Sequence, residues 1–171
     1  MSTAPSHTAG SRSGAVASLR FIWGLGPTTL AAVVLAVAIP GSRTRLFRRP
    51  AAHTCAGAAL FGAGLAMRVA ATWEMLHRGQ GTPIYPIEPM HLVTSGLFAW
   101  SRNPLYVAKL AMLAGLGLML ASRVVLALAV AWWVVLHRIV IPAEERSLRL
   151  RFGQDYVDYL RTVPRWIRLT P

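Results

Sequence analysis

Long apolar runs alternate with short basic connectors along this chain. Residues 21–42 and 50–67 contain no charged residue, residues 103–122 contain only Lys109, and residues 124–137 are again uncharged. A helix needs about 20 mostly apolar residues, with about 17 as the lower limit, to cross a bilayer. The pattern therefore predicts an all-α, polytopic membrane protein with about four transmembrane helices, near residues 20–40, 51–74, 104–121 and 124–141.

The connectors divide the chain further. Residues 121–123 are so few that the third and fourth helices must form a tight antiparallel hairpin. Residues 79–90 hold three prolines and two glycines, and proline removes a backbone donor and restricts the residue before it, so a loop is predicted there. The Ser-, Thr-, Ala- and Gly-rich residues 1–17 are predicted to be disordered. Two N-terminal transmembrane helices fill 18–77, and 78–171 forms a separate C-terminal core.

The segment 143–160 has the pattern of an amphipathic helix lying at the membrane surface. Gly153 is predicted to kink or split this helix. Its apolar and aromatic positions, roughly at helical spacing, are Leu148, Phe152, Tyr156, Tyr159 and Leu160.

The formal net charge of +12 comes almost entirely from arginine. In a water-soluble domain this would suggest nucleic acid, but arginines that flank apolar runs are typical of contact with anionic lipid. The bilayer is therefore the expected partner, and nucleic acid is not. The single cysteine, Cys55, permits no intramolecular disulfide. His53 and His77 lack partner ligands at metal spacing, so no metal site is expected.

Four helices place both termini on one side of the membrane, and the distribution of arginines favours the cytoplasm for that side. The basic connector at 43–49 falls on the opposite side and conflicts with this rule. The same topology gathers residues 78–103 and 142–171 at the cytoplasmic face, so most of the polar chemistry is expected there.

The stretch "SRNPLY", residues 101–106, begins the third helix. Asn103 suits the N-cap and Pro104 the first helical position, and the amides of such a helix start can hold a carboxylate or phosphate. Arg102 and Tyr106 stand four residues apart and can share a face. A capped helix with a snorkelling arginine and an interfacial tyrosine also fits these residues.

Pro142 marks the start of another predicted helix, as Pro104 does. Glu144 and Glu145 lie in the first turn of that helix, where negative charge is favourable. An ordinary interfacial helix would explain them. Two adjacent carboxylates at the membrane edge, among neighbours whose charges are arginine, can instead hold a cationic ligand.

Two blocks of sequence resemble the isoprenylcysteine carboxyl methyltransferase and phospholipid methyltransferase group of integral membrane proteins. They are "GTPIYP" with "LVTSGLFAWSRNPLYVAKL", and "EERSLRLRFGQDYVDYLRTVPRW". The resemblance covers 79–166, with the blocks in the family's order around a helical hairpin. It implies that 78–171 is the core of a methyltransferase, which binds S-adenosyl-L-methionine between the hairpin's cytoplasmic end and the C-terminal helix and acts on a lipophilic or small acceptor.

By position, the resemblance implies catalytic roles for Arg102, Tyr106, Glu144 and Glu145. The family more often has His at position 103 and Tyr at position 98, and at Val140 the eukaryotic isoprenylcysteine enzymes have an arginine that contacts substrate. That last difference argues against an isoprenylcysteine acceptor and leaves the cofactor site intact. The implied cofactor pocket consists of Met90, His91, Leu92, Val93, Phe98, Asn103, Pro104, Leu105, Tyr106 and Glu144.

Alternatives to this interpretation stay open at this level. Membrane sterol or enone reductases that use NADPH carry a similar "RNPxY" turn, but they continue with Gly-Glu where Ala108 and Lys109 stand here. A non-catalytic membrane protein could also keep the scaffold. Carboxylate, thiol and amine methyl acceptors all stay open, and the oligomeric state is not predicted. Arg68, Lys109 and His137 fit either the site or the membrane interface.

Overall fold

The computed structural model describes residues 52–80 and 90–168, and over these residues the protein is helical without strands. The predicted disorder at 1–17, the first predicted membrane helix, the connector at 43–49 and most of the 79–90 loop lie outside the described residues. The helices are α1 (Ala52–Arg78), α2 (Pro104–Met119), α3 (Arg123–Val135) and α4 (Ile141–Thr162), with a 3₁₀ turn at Gly96–Ala99 and a π-helical turn at Leu136–Val140.

Two of these elements are long and apolar enough to cross a membrane: α1, and the helical stretch Arg123–Thr162 that contains α3, the π turn and α4. Helix α2 is apolar but has 16 residues, or about 24 Å at 1.5 Å per residue. The all-α fold is confirmed over the described residues, while the count of four transmembrane helices stays a prediction.

Helices α1 and α2 run antiparallel in close contact along a line of glycines. A Cβ atom built on Gly57 would lie 2.7 Å from the carbonyl oxygen of Gly115, and one on Gly64 would lie 2.8 Å from that of Ala108. Small residues let helix backbones approach this closely in membranes. The packing places the start of α2 beside the C-terminal end of α1, where Ala71 contacts Val93 and Phe98.

The predicted tight hairpin between the third and fourth helices is confirmed. Three residues separate α2 from α3; Ala121 adopts a positive φ of 47°, and the Ser122 hydroxyl accepts a hydrogen bond from the Val125 amide at 3.4 Å. Leu113, Val125 and Ala129 form the buried core between the two helices.

Pro142 lies in the first turn of α4, as predicted, but α4 is not a separate helix. The Ile141 amide donates to the Leu136 carbonyl, five residues back, so a π turn carries α3 directly into α4. Proline has no N–H and cannot complete the usual ladder, and the wider turn takes up this defect within one continuous helix.

The predicted kink at Gly153 is confirmed, with φ 57° and ψ −128° inside α4. This conformation is essentially restricted to glycine. Beyond the kink, Tyr156, Tyr159 and Val163 form a buried cluster, against which Leu92, Leu148, Phe152 and Leu160 pack. The amphipathic face predicted for 143–160 thus covers the loop that leads to α2.

Candidate functional site

A cavity of about 80 Å³ opens between the loop before α2 and the first half of α4. Most of its wall is apolar, and its charged groups are Arg102, Glu144 and Arg151. Its remaining lining residues are Met75, His91, Leu92, Val93, Phe98, Leu148, Phe152 and Tyr159. The cavity therefore joins three parts of the chain that are far apart in sequence.

Glu144 is held at the cavity by the first turn of α2. The Tyr106 hydroxyl donates to Glu144 Oε2 at 3.0 Å, across 38 residues of sequence. Tyr106 thereby orients the carboxylate from outside the cavity wall. The two residues belong to the two different sequence blocks, and the structure brings them together.

Glu145 has different surroundings, because it is 6% exposed and is bound by two guanidinium groups. Arg102 Nη1 donates to Oε1 at 3.0 Å. Arg165 donates Nε to Oε1 at 3.0 Å and Nη2 to Oε2 at 2.8 Å. Both carboxylate oxygens are thus engaged: the bidentate pair with Arg165 fixes the position of Glu145, and Glu145 in turn holds Arg102.

Arg102 keeps one donor available. Its Nε atom is buried and has no acceptor among the residues that the structure describes. Since buried donors are nearly always paired, this N–H is an exception among the buried polar groups of the described residues. Arg102 also lines the cavity.

Asn103 occupies the N-cap position of α2, as predicted, but its side chain does not cap the helix. Asn103 Nδ2 donates to the carbonyl of Arg165 at 2.9 Å and makes no capping bond. The backbone carbonyl of Asn103 accepts from the amides of Tyr106 and Val107 instead, each at 3.0 Å. The C-terminal segment competes for this side chain, which a local pattern does not reveal.

The C-terminal segment 163–168 lies alongside residues 100–103. The Arg102 amide donates to Pro164 O at 3.0 Å, and the Arg168 amide donates to Trp100 O at 2.9 Å. Tyr159 adds a hydrogen bond from its hydroxyl to Phe98 O at 2.6 Å. These bonds hold the end of α4 and the C-terminal segment against the residues that precede α2.

Sequence reasoning did not select Arg165, which links three elements of the site. Besides Glu145, it donates Nη1 to the carbonyl of His137 at 3.4 Å, in the π turn. That carbonyl lies five residues before Pro142, which has no N–H to offer it. The sequence feature that could have identified Arg165 is its position directly after Pro164 in the second sequence block.

Glu74 of α1 was also overlooked. Its carboxylate accepts the Leu97 amide at 3.0 and 3.3 Å and so holds the 3₁₀ turn against α1. Gly96 has φ +61°, and a Cβ there would lie 1.9 Å from Glu74 Oε1. The sequence feature that could have identified Glu74 is its position as an acidic residue at the end of a mostly apolar run.

Five of the ten positions implied for a cofactor line the cavity: His91, Leu92, Val93, Phe98 and Glu144. The other five surround it without forming its wall. Met90 is 69% exposed, Pro104 is fully buried, and Leu105 packs on the cluster of Ala71, Val93 and Phe98. Asn103 and Tyr106 make the hydrogen bonds described above.

The sequence did not decide the roles of Arg68, Lys109 and His137, and none of these residues lines the cavity. His137 accepts a hydrogen bond from Trp166 Nε1 at 3.3 Å and stacks on Trp133. Lys109 is 2% exposed, with Nζ 4.9 Å from the ring centroid of Trp132. Arg68 lies half-buried on α1. Within the described ranges, His, Cys, Asp and Glu form no group of three that could hold a metal ion.

The described residues form a helical protein that has two helices long and apolar enough to cross a membrane and a partly apolar cavity at one end of its helices. The profile of the phospholipid methyltransferase family matches residues 52–155, more than half of the chain. The chain therefore belongs to this family of membrane methyltransferases. The resemblance carried by the two sequence blocks is confirmed.

One curated relative is the cobalt-zinc-cadmium resistance protein CzcN of Cupriavidus metallidurans. It is 37% identical over 73 residues, which are 43% of this chain and 33% of that protein. The match thus spans about a third of the relative's length. No solved structure gives a significant match to the chain.

Proposed function

We propose that the protein is a multi-pass membrane methyltransferase that uses S-adenosyl-L-methionine to methylate a lipophilic or small acceptor. Membership of the phospholipid methyltransferase family supports methyl transfer. One observation carries the choice of site: a single cavity joins the apolar side chains of Leu92, Val93 and Phe98 with Arg102 and Glu144. These are the parts of the two sequence blocks that the resemblance assigns to the cofactor.

The chemistry of the cavity fits this cofactor. The Glu144 carboxylate, oriented by Tyr106, suits the ammonium of the methionine moiety, and the buried Nε–H of Arg102 suits its carboxylate. Leu92, Val93 and Phe98 offer apolar surface to the adenosyl part. A cavity of about 80 Å³ encloses only part of such a molecule, so the rest would extend through its open side.

When bound, the cofactor supplies an electrophilic methyl group on a sulfonium. Direct displacement at that carbon needs alignment and exclusion of water more than acid–base groups. In this proposal Glu144 and Arg102 provide the alignment. Glu145 and Arg165 keep Arg102 in place, and the apolar wall from Leu92 to Phe98 excludes water.

The proposed acceptor reaches the site from the bilayer. Large apolar side chains remain exposed on α1 and α3, among them Val69, Trp73 and Val130, each 62% exposed. Such faces suit acyl chains, so a lipid-tailed acceptor can move laterally toward the cavity. Carboxylate, thiol and amine acceptors are all compatible with this site.

We further propose that residues 78–171 form the methyltransferase core and that the site faces the cytoplasm, where the cofactor is made. In support, the ion pairs of Glu145 and the contact of Glu74 with Leu97 lie at the same end of the helices. The proposal includes the four membrane helices predicted from the apolar runs.

Equilibrium binding to detergent-purified protein tests the cofactor. S-adenosylhomocysteine should bind saturably and NADPH should not. Binding of NADPH alone would identify a reductase, and binding of neither would indicate a non-catalytic scaffold. Once S-adenosylhomocysteine binding is established, a screen of carboxylate, thiol and amine acceptors with radiolabelled cofactor identifies the acceptor class.

A further inference from the structure

A second, open groove lies beside Arg102. Apart from Arg102, its lining residues are different from those of the cavity described above. It has a volume of about 470 Å³ and is formed by the end of α4 and the segment that follows it. Its sides carry Arg102, Arg161 and Arg168, and its apolar surface comes from Leu160, Val163 and Ile167. Arg102 is the residue that lines both spaces.

The charge of this groove is incompletely balanced by the protein. Arg161 pairs with Asp158 at 3.3 Å, but the two side chains are 73% and 59% exposed, so the pair is screened by solvent and weak. Arg168 donates to the backbone carbonyl of Thr162, which neutralises no charge. Arg102 shares the single carboxylate of Glu145 with Arg165.

Large apolar side chains are exposed in the groove and on the residues next to it. Trp100 is 58% exposed and Ile167 is 48% exposed, and Arg168 bonds to the backbone of Trp100. Tryptophan beside arginine is characteristic of the head-group level of a bilayer, where one side of the residue contacts lipid and the other contacts water. A free anion in solution would leave these apolar groups exposed to water.

We propose that this groove binds the anionic phosphate head group of a membrane lipid, at a site distinct from the cavity. The guanidinium groups of Arg161 and Arg168 contact the phosphate, while Trp100 and Ile167 contact the glycerol and the first part of the chains. The bound lipid is not a reactant. The inference goes beyond the proposed function, because it requires neither cofactor nor methyl transfer.

Short-chain lipids allow the groove to be tested on the detergent-purified full chain. Titration calorimetry would compare dihexanoyl phosphatidylglycerol, dihexanoyl phosphatidylcholine and inorganic phosphate, with both lipids below their micelle concentration. Phosphatidylglycerol should bind saturably and more tightly than the other two. Equal binding of inorganic phosphate would mean a general anion site, and equal binding of phosphatidylcholine would mean that the site does not recognise a net negative head group; either result would overturn the proposal.

A matched pair of double variants locates the site. Arg161→Gln with Arg168→Gln should weaken phosphatidylglycerol binding roughly tenfold or more, since each basic group near an anionic lipid contributes appreciably. Arg146→Gln with Arg149→Gln removes the same charge from exposed positions of α4 outside the groove and should change binding far less. Equal weakening in the two variants, or none in the first, contradicts the assignment.

Two readouts separate loss of the groove from loss of the fold. Thermal unfolding and S-adenosylhomocysteine binding should stay near wild type in both double variants. If the first variant does not fold, Arg161→Gln alone, at an exposed side chain, gives the same comparison with Arg149→Gln. A failure of S-adenosylhomocysteine binding in the wild type would count against the proposed function and leave the lipid result interpretable.

Discussion

Glu144 and Glu145 are neighbours in sequence, yet their carboxylates occupy different environments. Successive helical residues point about 100° apart, so one carboxylate lines the cavity and the other lies among guanidinium groups. Adjacent carboxylates at a membrane edge suggested a joint cation site. The structure divides them: Glu144 lines the cavity, and Glu145 holds Arg102.

Glu144→Gln should weaken cofactor binding and leave the fold intact. The amide keeps the shape of the carboxylate and can still accept from Tyr106, but it loses the charge opposite the cofactor's ammonium. Loss of such a charge-assisted bond costs about 1.5–3 kcal/mol, or roughly ten- to a hundredfold in affinity. Thermal unfolding and S-adenosylhomocysteine affinity, measured together, check this.

Glu145→Gln is the comparison for that change, because Glu145 does not line the cavity and its substitution removes the charge between Arg102 and Arg165; any effect on affinity would come through the displacement of Arg102. It should lower thermal stability, since breaking a buried ion pair costs about 3–5 kcal/mol. Wild-type affinity for S-adenosylhomocysteine in a folded Glu144→Gln protein would remove Glu144 from the site.

Arg165→Lys should destabilise the protein even though it keeps the positive charge. Lysine has no planar fork, so it cannot donate to both oxygens of Glu145 and also to His137 O. We expect a loss of about 1–3 kcal/mol in the free energy of unfolding. Arg161→Lys, at an exposed pair with Asp158, should change stability by less than about 1 kcal/mol.

Denaturant or thermal unfolding in detergent distinguishes the two lysine variants. Equal stability of Arg165→Lys and the wild type would mean that charge alone, without the fork geometry, holds the C-terminal segment. A rise in the dissociation constant for S-adenosylhomocysteine in Arg165→Lys would further show that Arg165 positions Arg102.

At the scale of helices and turns, features set by neighbouring residues were predictable. Pro104 begins α2 because proline suits the first helical position, residues 120–122 make the hairpin turn, and Gly153 kinks α4. Features set by distant partners were not. The Asn103 side chain bonds to Arg165, 62 residues away, and Glu74 bonds to Leu97, 23 residues away.

The contact of α1 with α2 is the element-scale feature most open to test. A Cβ on Gly115 would lie 2.6 Å from Phe61 N and 2.7 Å from Gly57 O, and backbone atoms of a helix cannot move aside locally. Gly115→Leu should therefore force the helices apart and destabilise the protein by several kcal/mol, well above the common range of about 0.5–3 kcal/mol.

Gly62→Leu provides a matched control for this change. Gly62 lies on the same helix pair, in α1, and a Cβ built there meets nothing within 4 Å. Its replacement by leucine should leave the unfolding temperature unchanged or raise it, because leucine is the better helix former. Similar unfolding temperatures for the two variants would mean that α1 and α2 do not pack through Gly115.

At the scale of the whole molecule, polar contacts concentrate at one end of the helices and the α2–α3 hairpin lies at the other. The concentration of polar groups at one face was predicted from the topology, since both sequence blocks flank the same hairpin. The pairing of individual residues could not be predicted, because no local pattern determines which glutamate binds which arginine. The family was recognisable because the two blocks keep their order and spacing.

The end that carries the site should face the cytoplasm. Among described residues, Arg78, Arg102 and the arginines of α4 and the C-terminal segment lie at that end, whereas Arg123 lies at the hairpin. This excess predicts the orientation by the positive-inside rule. The basic connector at 43–49 opposes it, so the orientation requires a direct measurement.

Single-cysteine labelling makes that measurement, because Cys55 is the chain's one cysteine and Cys55→Ser gives a clean background. Leu150→Cys, at a position that is 90% exposed on α4, should react with a membrane-impermeant maleimide only after the cells are permeabilised. Arg123→Cys, exposed at the hairpin, should react in intact cells. The reverse pattern would place the site outside the cytoplasm, away from the supply of S-adenosyl-L-methionine, and would contradict both the topology and the proposed methyl transfer.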